Sequence, residues 1–251
     1  MKKTLAAVLA AALLQTTAFS EDLSGYDNKK IAWGLGPSVD SYNRPVDAVS
    51  SQRQFEELHG LFVGEADKKR LWLTFDEGYE NGCTGRILDI LKEKNVPAVF
   101  FVTLDYAEQN PELIRRMIDE GHTVGNHTCS HPSLPDCSDE KLRGELSKLH
   151  EYIKDNFNYD MYVMRPPKGE FSERVLACAK ELGYTTVLWS FAYQDWQTDN
   201  QPAADFAYDK ITSKTHNGAV YLLHAVSETN TAVLGRVIDY WHDNGYIVTP
   251  M

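Results

Sequence analysis

The spacing of apolar and polar residues predicts regular secondary structure from about residue 70 onward. Leu71, Leu73 and Phe75 alternate with Trp72 and Thr74, which is typical of a buried strand. Further strands are predicted at 98–102, 122–124, 162–164, 185–189, 219–223 and 246–248. Helical spacing, proline at a first turn and closing glycines predict helices at 84–94, 111–120, 138–153, 172–182, 203–212 and 231–243.

Strands that alternate with helices of this length form parallel βαβ units. The predicted fold class is therefore α/β: an irregular (β/α)7–8 barrel, rather than an open sheet, in residues 67–251. Residues 21–66 are rich in turns and lack sustained periodicity, so we expect an N-terminal extension packed on that domain. Within it, residues 55–62 are expected to form a short helix or a loose wrap.

Residues 1–20 have the form of a secretory signal peptide, with Lys2 and Lys3, an apolar run at 5–14, and small residues at Ala18 and Ser20. The run is too short for a comfortable membrane span, which takes about 20 apolar residues. An uncleaved signal that anchors the protein remains the alternative. We therefore expect an exported protein that acts outside the cytoplasm.

The charge balance disfavours nucleic acid and anionic membranes as partners. The signal peptide contains two of the 25 basic residues and none of the 36 acidic ones, so the mature net charge is −13. Neither Gly-x-Gly-x-x-Gly nor Gly-x-Ser-x-Gly occurs, which argues against a Rossmann fold and an α/β-hydrolase. No protein partner is evident, and a monomer is expected. A Cys129–Cys137 disulfide and free thiols are both compatible with the spacing.

Chemically capable side chains follow the predicted strands, at the end where parallel α/β folds gather reactive groups. Asp76 and Glu77 follow the first strand, and neighbouring carboxylates need a metal or a cationic partner to offset their repulsion. A charged turn that closes a hairpin is the alternative. His127 and His131 follow the third strand, and with a carboxylate they would make an open three-ligand site for zinc or a similar ion. Two structural histidines are the alternative there.

Five short motifs resemble, in order, those of the polysaccharide deacetylases, the NodB-homology or carbohydrate esterase family 4 group. They are Thr-Phe-Asp-Glu-Gly (74–78), His-Thr-Cys-Ser-His (127–131), Arg-Pro-Pro (165–167), Asp-Trp (195–196) and Leu-Leu-His (222–224). Within that family the chain looks most like the de-N-acetylases that make muramic δ-lactam in spore cortex peptidoglycan. The stretches 75–82, 165–169 and 218–224, with Trp33-Gly34 in the extension, carry that closer likeness.

The resemblance implies hydrolysis of the N-acetyl group of a sugar, with peptidoglycan glycan strands as substrate. Asp76 would be the general base, and Arg165 would hold it ionised. His224 would be the general acid, oriented by Asp195. The remaining implied roles are a divalent metal, Zn²⁺ or alternatively Mn²⁺ or Co²⁺, on His127, His131 and Glu77, an oxyanion contact from the backbone N–H of Lys168, and a sugar contact from Trp196.

Glu77 is the departure from the family pattern, because most members have Asp at this metal-binding position. The extra methylene moves the carboxylate, so a metal is less firmly implied here than in the wider family. Glu77 is expected either to bind the metal or to turn toward Arg165 or the substrate. Three further functions stay open: deacetylation of N-acetylglucosamine or another acetylated polysaccharide, O-acetyl ester hydrolysis, and carbohydrate binding without catalysis.

Overall fold

The computed structural model describes residues 22–251, so the predicted signal peptide lies outside the described residues. The strands are β1 (Ile31–Ala32), β2 (Gly60–Leu61), β3 (Arg70–Glu77), β4 (Val99–Val102), β5 (Thr123–Asn126), β6 (Val163–Met164), β7 (Glu170–Phe171), β8 (Thr185–Val187), β9 (Ala219–His224) and β10 (Ile247–Val248). The α-helices are α1 (Val46–Phe55), α2 (Thr84–Lys94), α3 (Leu104–Gln109), α4 (Pro111–Asp119), α5 (Asp139–Phe157), α6 (Glu173–Glu181), α7 (Ala204–Ser213) and α8 (Glu228–Asp243). Within 22–251 no helix has the length and apolar character needed to cross a membrane.

The main sheet is parallel and curls around β3. Its strand order is β10-β3-β4-β5-β6-β8-β2, and β9 pairs with β3 as well. A single bridge between Phe191 and Tyr221 links the segment after β8 to β9. The prediction of an irregular barrel of parallel βα units is confirmed.

Alternation along the strands separates two apolar cores. Val99, Phe101, Val163, Val187 and Val220 form the smaller one, against which the side chain of Trp72 packs, and we assign it to the concave face of the sheet. The larger core contains Leu71, Leu73 and Phe75 together with the buried faces of the helices. Even-numbered residues of β3 therefore face the inside of the curled sheet, and odd-numbered ones face the helices.

Serine caps set the start of three helices. The side chains of Ser138, Ser172 and Ser227 accept hydrogen bonds from backbone N–H groups in the first turns of α5, α6 and α8. The sequence predicts Ser138 and Ser172 as first helical residues, whereas the structure shows each as the cap immediately before its helix.

The N-terminal region packs closely on the sheet. β1 pairs antiparallel with β7, and β2 joins the main sheet beside β8, so residues 60–61 of the predicted extension are part of the sheet. The ring of Phe55 lies 5.8 Å from Phe62 and 5.4 Å from Phe171. The α-helix in this region, α1, ends at Phe55, and the stretch 55–62 then forms a short 3₁₀ helix at Glu56–Leu58 followed by β2, in line with the short helix expected there. Only Ala48 and Phe55 of α1 are buried, which is too few to create a visible apolar period.

Candidate active site

A cavity of about 980 Å³ opens at the carboxyl ends of the strands. Six of the nine predicted site residues line it: Asp76, His127, His131, Lys168, Trp196 and His224. Arg165 and Asp195 lie directly behind two of these and are hydrogen-bonded to them. Glu77 is not part of the lining.

Asp76 and Arg165 form a buried ion pair at the floor of the cavity. Arg165 Nη1 donates to Asp76 Oδ1 at 2.8 Å, and the arginine side chain is fully buried. Burial raises the pKa of the Asp76 carboxyl, but the charge and hydrogen bond of Arg165 outweigh this effect and leave the pKa below the usual value. Asp76 is therefore ionised at neutral pH and can accept a proton.

The surroundings of Arg165 hold its guanidinium in one orientation. Its other nitrogens donate to the carbonyls of Val187 at 3.0 Å and Leu188 at 3.2 Å, at the end of β8. The guanidinium carbon lies 4.2 Å from the centroid of the Phe101 ring, in the smaller core. One buried cation thus ties β3, β4 and β8 together beneath the cavity.

His224 and Asp195 form the second hydrogen-bonded pair of the site. His224 Nδ1 lies 2.7 Å from Asp195 Oδ1, and a carboxylate only accepts, so Nδ1 carries a proton and Nε2 is left for the cavity. Burial lowers the pKa of the imidazole, but the hydrogen bond and charge of Asp195 more than offset it, so the pKa is raised. Asp76 and His224 are register partners on the adjacent strands β3 and β9, which places a low-pKa carboxylate beside a high-pKa imidazole.

His127 and His131 lie on a tight loop after β5. Their ring centroids are 4.9 Å apart. Thr128 and His131 have φ of 72° and 55°, in the left-handed region that costs an ordinary side chain about 1–3 kcal/mol. The loop is held by Asn126 Oδ1, which accepts from Thr128 N at 2.9 Å, and by the Glu145 carboxylate, which accepts from Ser130 N at 2.8 Å.

Glu77 does not face the two histidines, which corrects the sequence-based expectation. Successive side chains of a strand point to opposite faces, so Asp76 enters the cavity and Glu77 enters the helical layer. The Glu77 carboxyl is fully buried there, and Thr84 Oγ1 donates to Oε2 at 3.4 Å. Oε1 has no hydrogen-bond partner in the part of the chain that the structure describes. Burial, then the charge of Glu80, raises the pKa of Glu77 well above its usual value.

The histidines have the right character for metal binding, but the third ligand is missing. The Nδ1 of His127 donates to the carbonyl of Arg165 at 2.8 Å, which leaves Nε2 unprotonated. Burial lowers the pKa of His127 to about 4, so the ring is neutral. Residues 22–251 contain no group of three metal-ligating side chains arranged to hold an ion. The residues around His127 and His131 do not fit the three-ligand site that the resemblance implies. The expected carboxylate, that of Glu77, lies on the opposite face of β3.

Lys168 and the N-terminal region form one wall of the cavity. Lys168 has φ of 59° and Gly169 has φ of 65°, so the chain turns sharply after β6. A Cβ on Gly169 would lie 2.6 Å from the ring of Trp189, so this close approach requires glycine. Trp33 Nε1 donates to the Trp189 carbonyl at 3.0 Å, and the next residues, Gly34 and Leu35, line the cavity.

Sequence reasoning missed the residues that support the site. Asn230, on α8, donates to Asp195 Oδ2 at 2.6 Å and to the carbonyl of His224 at 3.3 Å. Asn126 and Glu145 support the histidine loop from β5 and α5. Asn126 directly precedes His127, and its position at a strand end was the one signal that could have identified it. Nothing in the local sequence marks Asn230 or Glu145.

Comparison with known proteins identifies the family. The family model described as polysaccharide deacetylase matches residues 63–187. The peptidoglycan-N-acetylmuramic acid deacetylase PdaA of Bacillus subtilis is 41% identical over 221 residues, which cover 87% of this chain and 83% of that protein. The chain belongs to the polysaccharide deacetylase family.

Structural and more distant relatives give the same assignment. The structure of Bacillus subtilis PdaA, described as a family 4 carbohydrate esterase, superposes with a TM-score of 0.84 at 38% identity and covers 89% of this chain and 96% of that one. The peptidoglycan-N-acetylglucosamine deacetylase PgdA of Listeria monocytogenes is 34% identical over 71% of this chain and 37% of its own length. The protein is thus a polysaccharide deacetylase with the fold predicted from its sequence.

Proposed function

We propose that this polysaccharide deacetylase removes the N-acetyl group of muramic acid in peptidoglycan and releases acetate. The observation that carries the proposal is that Asp76, ionised beside Arg165, lies on the same cavity floor as His224, whose pKa is raised by its hydrogen bond to Asp195. The similarity to PdaA over most of both chains supports muramic acid as the substrate sugar.

The Asp76–Arg165 and His224–Asp195 pairs can perform the two proton transfers of amide hydrolysis. Asp76 takes a proton from water, which attacks the acetyl carbonyl. The backbone N–H of Lys168 is proposed to donate to the developing oxyanion. His224 then protonates the departing amine from Nε2, and the carboxylate of Asp195 stabilises the imidazolium before that transfer. Trp196, which is half exposed and lies edge-on to His224 with ring centroids 5.6 Å apart, is proposed to flank the sugar.

The charge of Lys168 favours muramic acid over glucosamine. These sugars differ by the lactyl ether of muramic acid, which carries a carboxylate once the stem peptide has been removed. Lys168 lines the cavity and lies near enough to His131 to lower the pKa of that histidine, after the larger effect of burial. A cation at this place can pair with the lactyl carboxylate.

Export, metal use and biological setting complete the proposal. We propose that residues 1–20 direct export and that a single chain acts on peptidoglycan outside the cytoplasm, as a step toward muramic δ-lactam in spore cortex. A divalent ion, Zn²⁺ or alternatively Mn²⁺ or Co²⁺, is proposed to have only His127 and His131 as side-chain ligands. Two ligands hold such an ion more weakly than the usual three or four.

Acetate release tests the function. Purified protein should release acetate from glycan strands freed of stem peptides, and more slowly from chitooligosaccharides. Asp76→Asn should lower kcat by about 10²–10⁴-fold, because general-base catalysis contributes roughly that much. Lys29→Gln, an exposed change outside the cavity lining, is the control and should match wild type. Equal acetate release by Asp76→Asn and wild type would falsify the assignment of the base.

A further inference from the structure

We propose that a second cavity, beside the catalytic one, binds further sugar residues of the same glycan strand, with Phe206 as the stacking surface and Lys210 as the partner of a muramic carboxylate. The inference rests on the proposed function, which it deepens. It would make the enzyme prefer long strands over short ones.

The second cavity lies directly beside the first. It has a volume of about 440 Å³, within the range of about 300–1,000 Å³ that small-molecule sites occupy. Ala192, Tyr193 and Gln194 line both cavities, so they form a ridge between them. A chain-like ligand that fills the catalytic cavity can therefore continue over the ridge.

Phe206 is placed for stacking and not for the core. It lies in the first turn of α7, where Ala207 and Ile211 are buried, and its own side chain is 57% exposed. An exposed phenylalanine in a cavity wall offers a flat apolar surface, and the C–H faces of a pyranose ring pack on such surfaces. The Phe206 ring is not part of the larger hydrophobic core of the described residues.

Lys210 supplies the charge. It lies one helical turn after Phe206, so both side chains reach the same cavity. Residues 22–251 offer it no ion-pair partner, although the chain carries 36 acidic residues. The strand proposed as substrate bears lactyl carboxylates at regular intervals, which are complementary to this free ammonium group.

The ridge is held rigidly, which favours binding across it. Tyr193 Oη donates to Asn230 Oδ1, and the amide nitrogen of the same asparagine donates to Asp195. Gln201 donates to the Asp195 carbonyl at 3.2 Å and accepts from Ser227 Oγ. Asn230 thus holds both the ridge and Asp195, the partner of the catalytic acid. Because the ridge is already ordered, little conformational entropy is lost when a strand binds.

Kinetics against strand length test the proposal. Glycan strands freed of stem peptides are separated by length, and KM and kcat are measured for each. For long strands, Phe206→Ala should raise KM about three- to tenfold with kcat unchanged, as expected for the loss of one stacking contact. Lys210→Gln should raise KM about threefold and reduce its dependence on salt. The shortest strand turned over should show no change with either variant.

Two exposed residues outside both cavities provide matched controls. Tyr42→Ala removes an aromatic ring that is 56% exposed, and Lys29→Gln removes an exposed ammonium group, and both should behave as wild type on every strand. Equal KM ratios of long to short strands in wild type, Phe206→Ala and Lys210→Gln would overturn the proposal. Binding of long strands can also be measured directly in the Asp76→Asn variant, in which turnover does not interfere. Adding Phe206→Ala to that variant should weaken binding of long strands. Absence of acetate release by wild type would therefore count against the proposed function alone.

Discussion

Replacing Glu77 by glutamine tests whether Glu77 is a buried neutral acid or a metal ligand. The carboxyl of Glu77 lies between β3 and the helices, with only a 3.4 Å hydrogen bond from Thr84. Burial raises its pKa well above the usual 4.5, with Glu80 and Asp76 adding to the effect. Glutamine has nearly the same shape, cannot ionise, and can still accept from Thr84.

The stability difference follows from proton binding. In the unfolded chain Glu77 ionises near pH 4.5, whereas in the folded protein it keeps its proton to higher pH. Between these two pKa values the unfolded state alone loses a proton as pH rises, so Glu77 lowers the free energy of unfolding by about 1.4 kcal/mol per pH unit. Below pH 4.5 both states are protonated and this loss vanishes. Glu77→Gln removes this loss, so the free energy of unfolding of the variant should increase relative to that of wild type as pH rises.

Urea unfolding between about pH 4 and pH 7 measures this difference. The free energy of unfolding of Glu77→Gln minus that of wild type should rise with pH. Glu93→Gln, an exposed change on the neighbouring helix α2, should show no such rise. Deacetylase activity of Glu77→Gln should stay within about threefold of wild type, because no cavity-lining group is altered.

A different result would refute the reasoning. If the difference in unfolding free energy is flat or falls with pH, Glu77 is ionised in the folded protein. If Glu77→Gln also loses divalent-metal affinity in an equilibrium titration, as His131→Ala should, then Glu77 is a ligand and its observed orientation is not the active one.

Two other changes test the charged pairs. Asp195→Asn removes the hydrogen bond and charge that raise the pKa of His224, so the alkaline limb of the pH profile of kcat should move to lower pH; an unmoved limb would mean that His224 is not the acid. Arg165→Met leaves the Asp76 carboxylate buried and unpaired, so urea unfolding at neutral pH should show a loss of about 3–5 kcal/mol, whereas a loss below about 1 kcal/mol would mean that the pair is solvated.

The sequence predicted the strand ends well because local patterns determine them. Alternation over residues 71–75 located β3, and the polar residues after each strand located Asp76, His127, Arg165 and His224. The parallel arrangement of the strands then brings these positions to one edge. The structure places all four at or directly behind one cavity.

Two kinds of feature could not be found in this way. Asn230 supports Asp195 from α8, and this contact depends on how a distant helix packs. β2 has two residues and α1 buries two, which is too little for a period to show. The orientation of Glu77 is different, because the alternation that identifies β3 puts positions 76 and 77 on opposite faces, whereas the family pattern predicts that both reach the site.

The pairing of β3 with β9 also has a consequence for the time at which activity appears. Leu71 is the register partner of Ala219, so the central pair of the sheet closes a loop that contains most of the chain. Contacts so distant in sequence form late in folding. The base, the arginine and both histidines precede β9, whereas the acid is its last residue. A nascent or truncated chain that lacks β9 therefore has no general acid, and it can hydrolyse its substrate only after β9 has paired with β3.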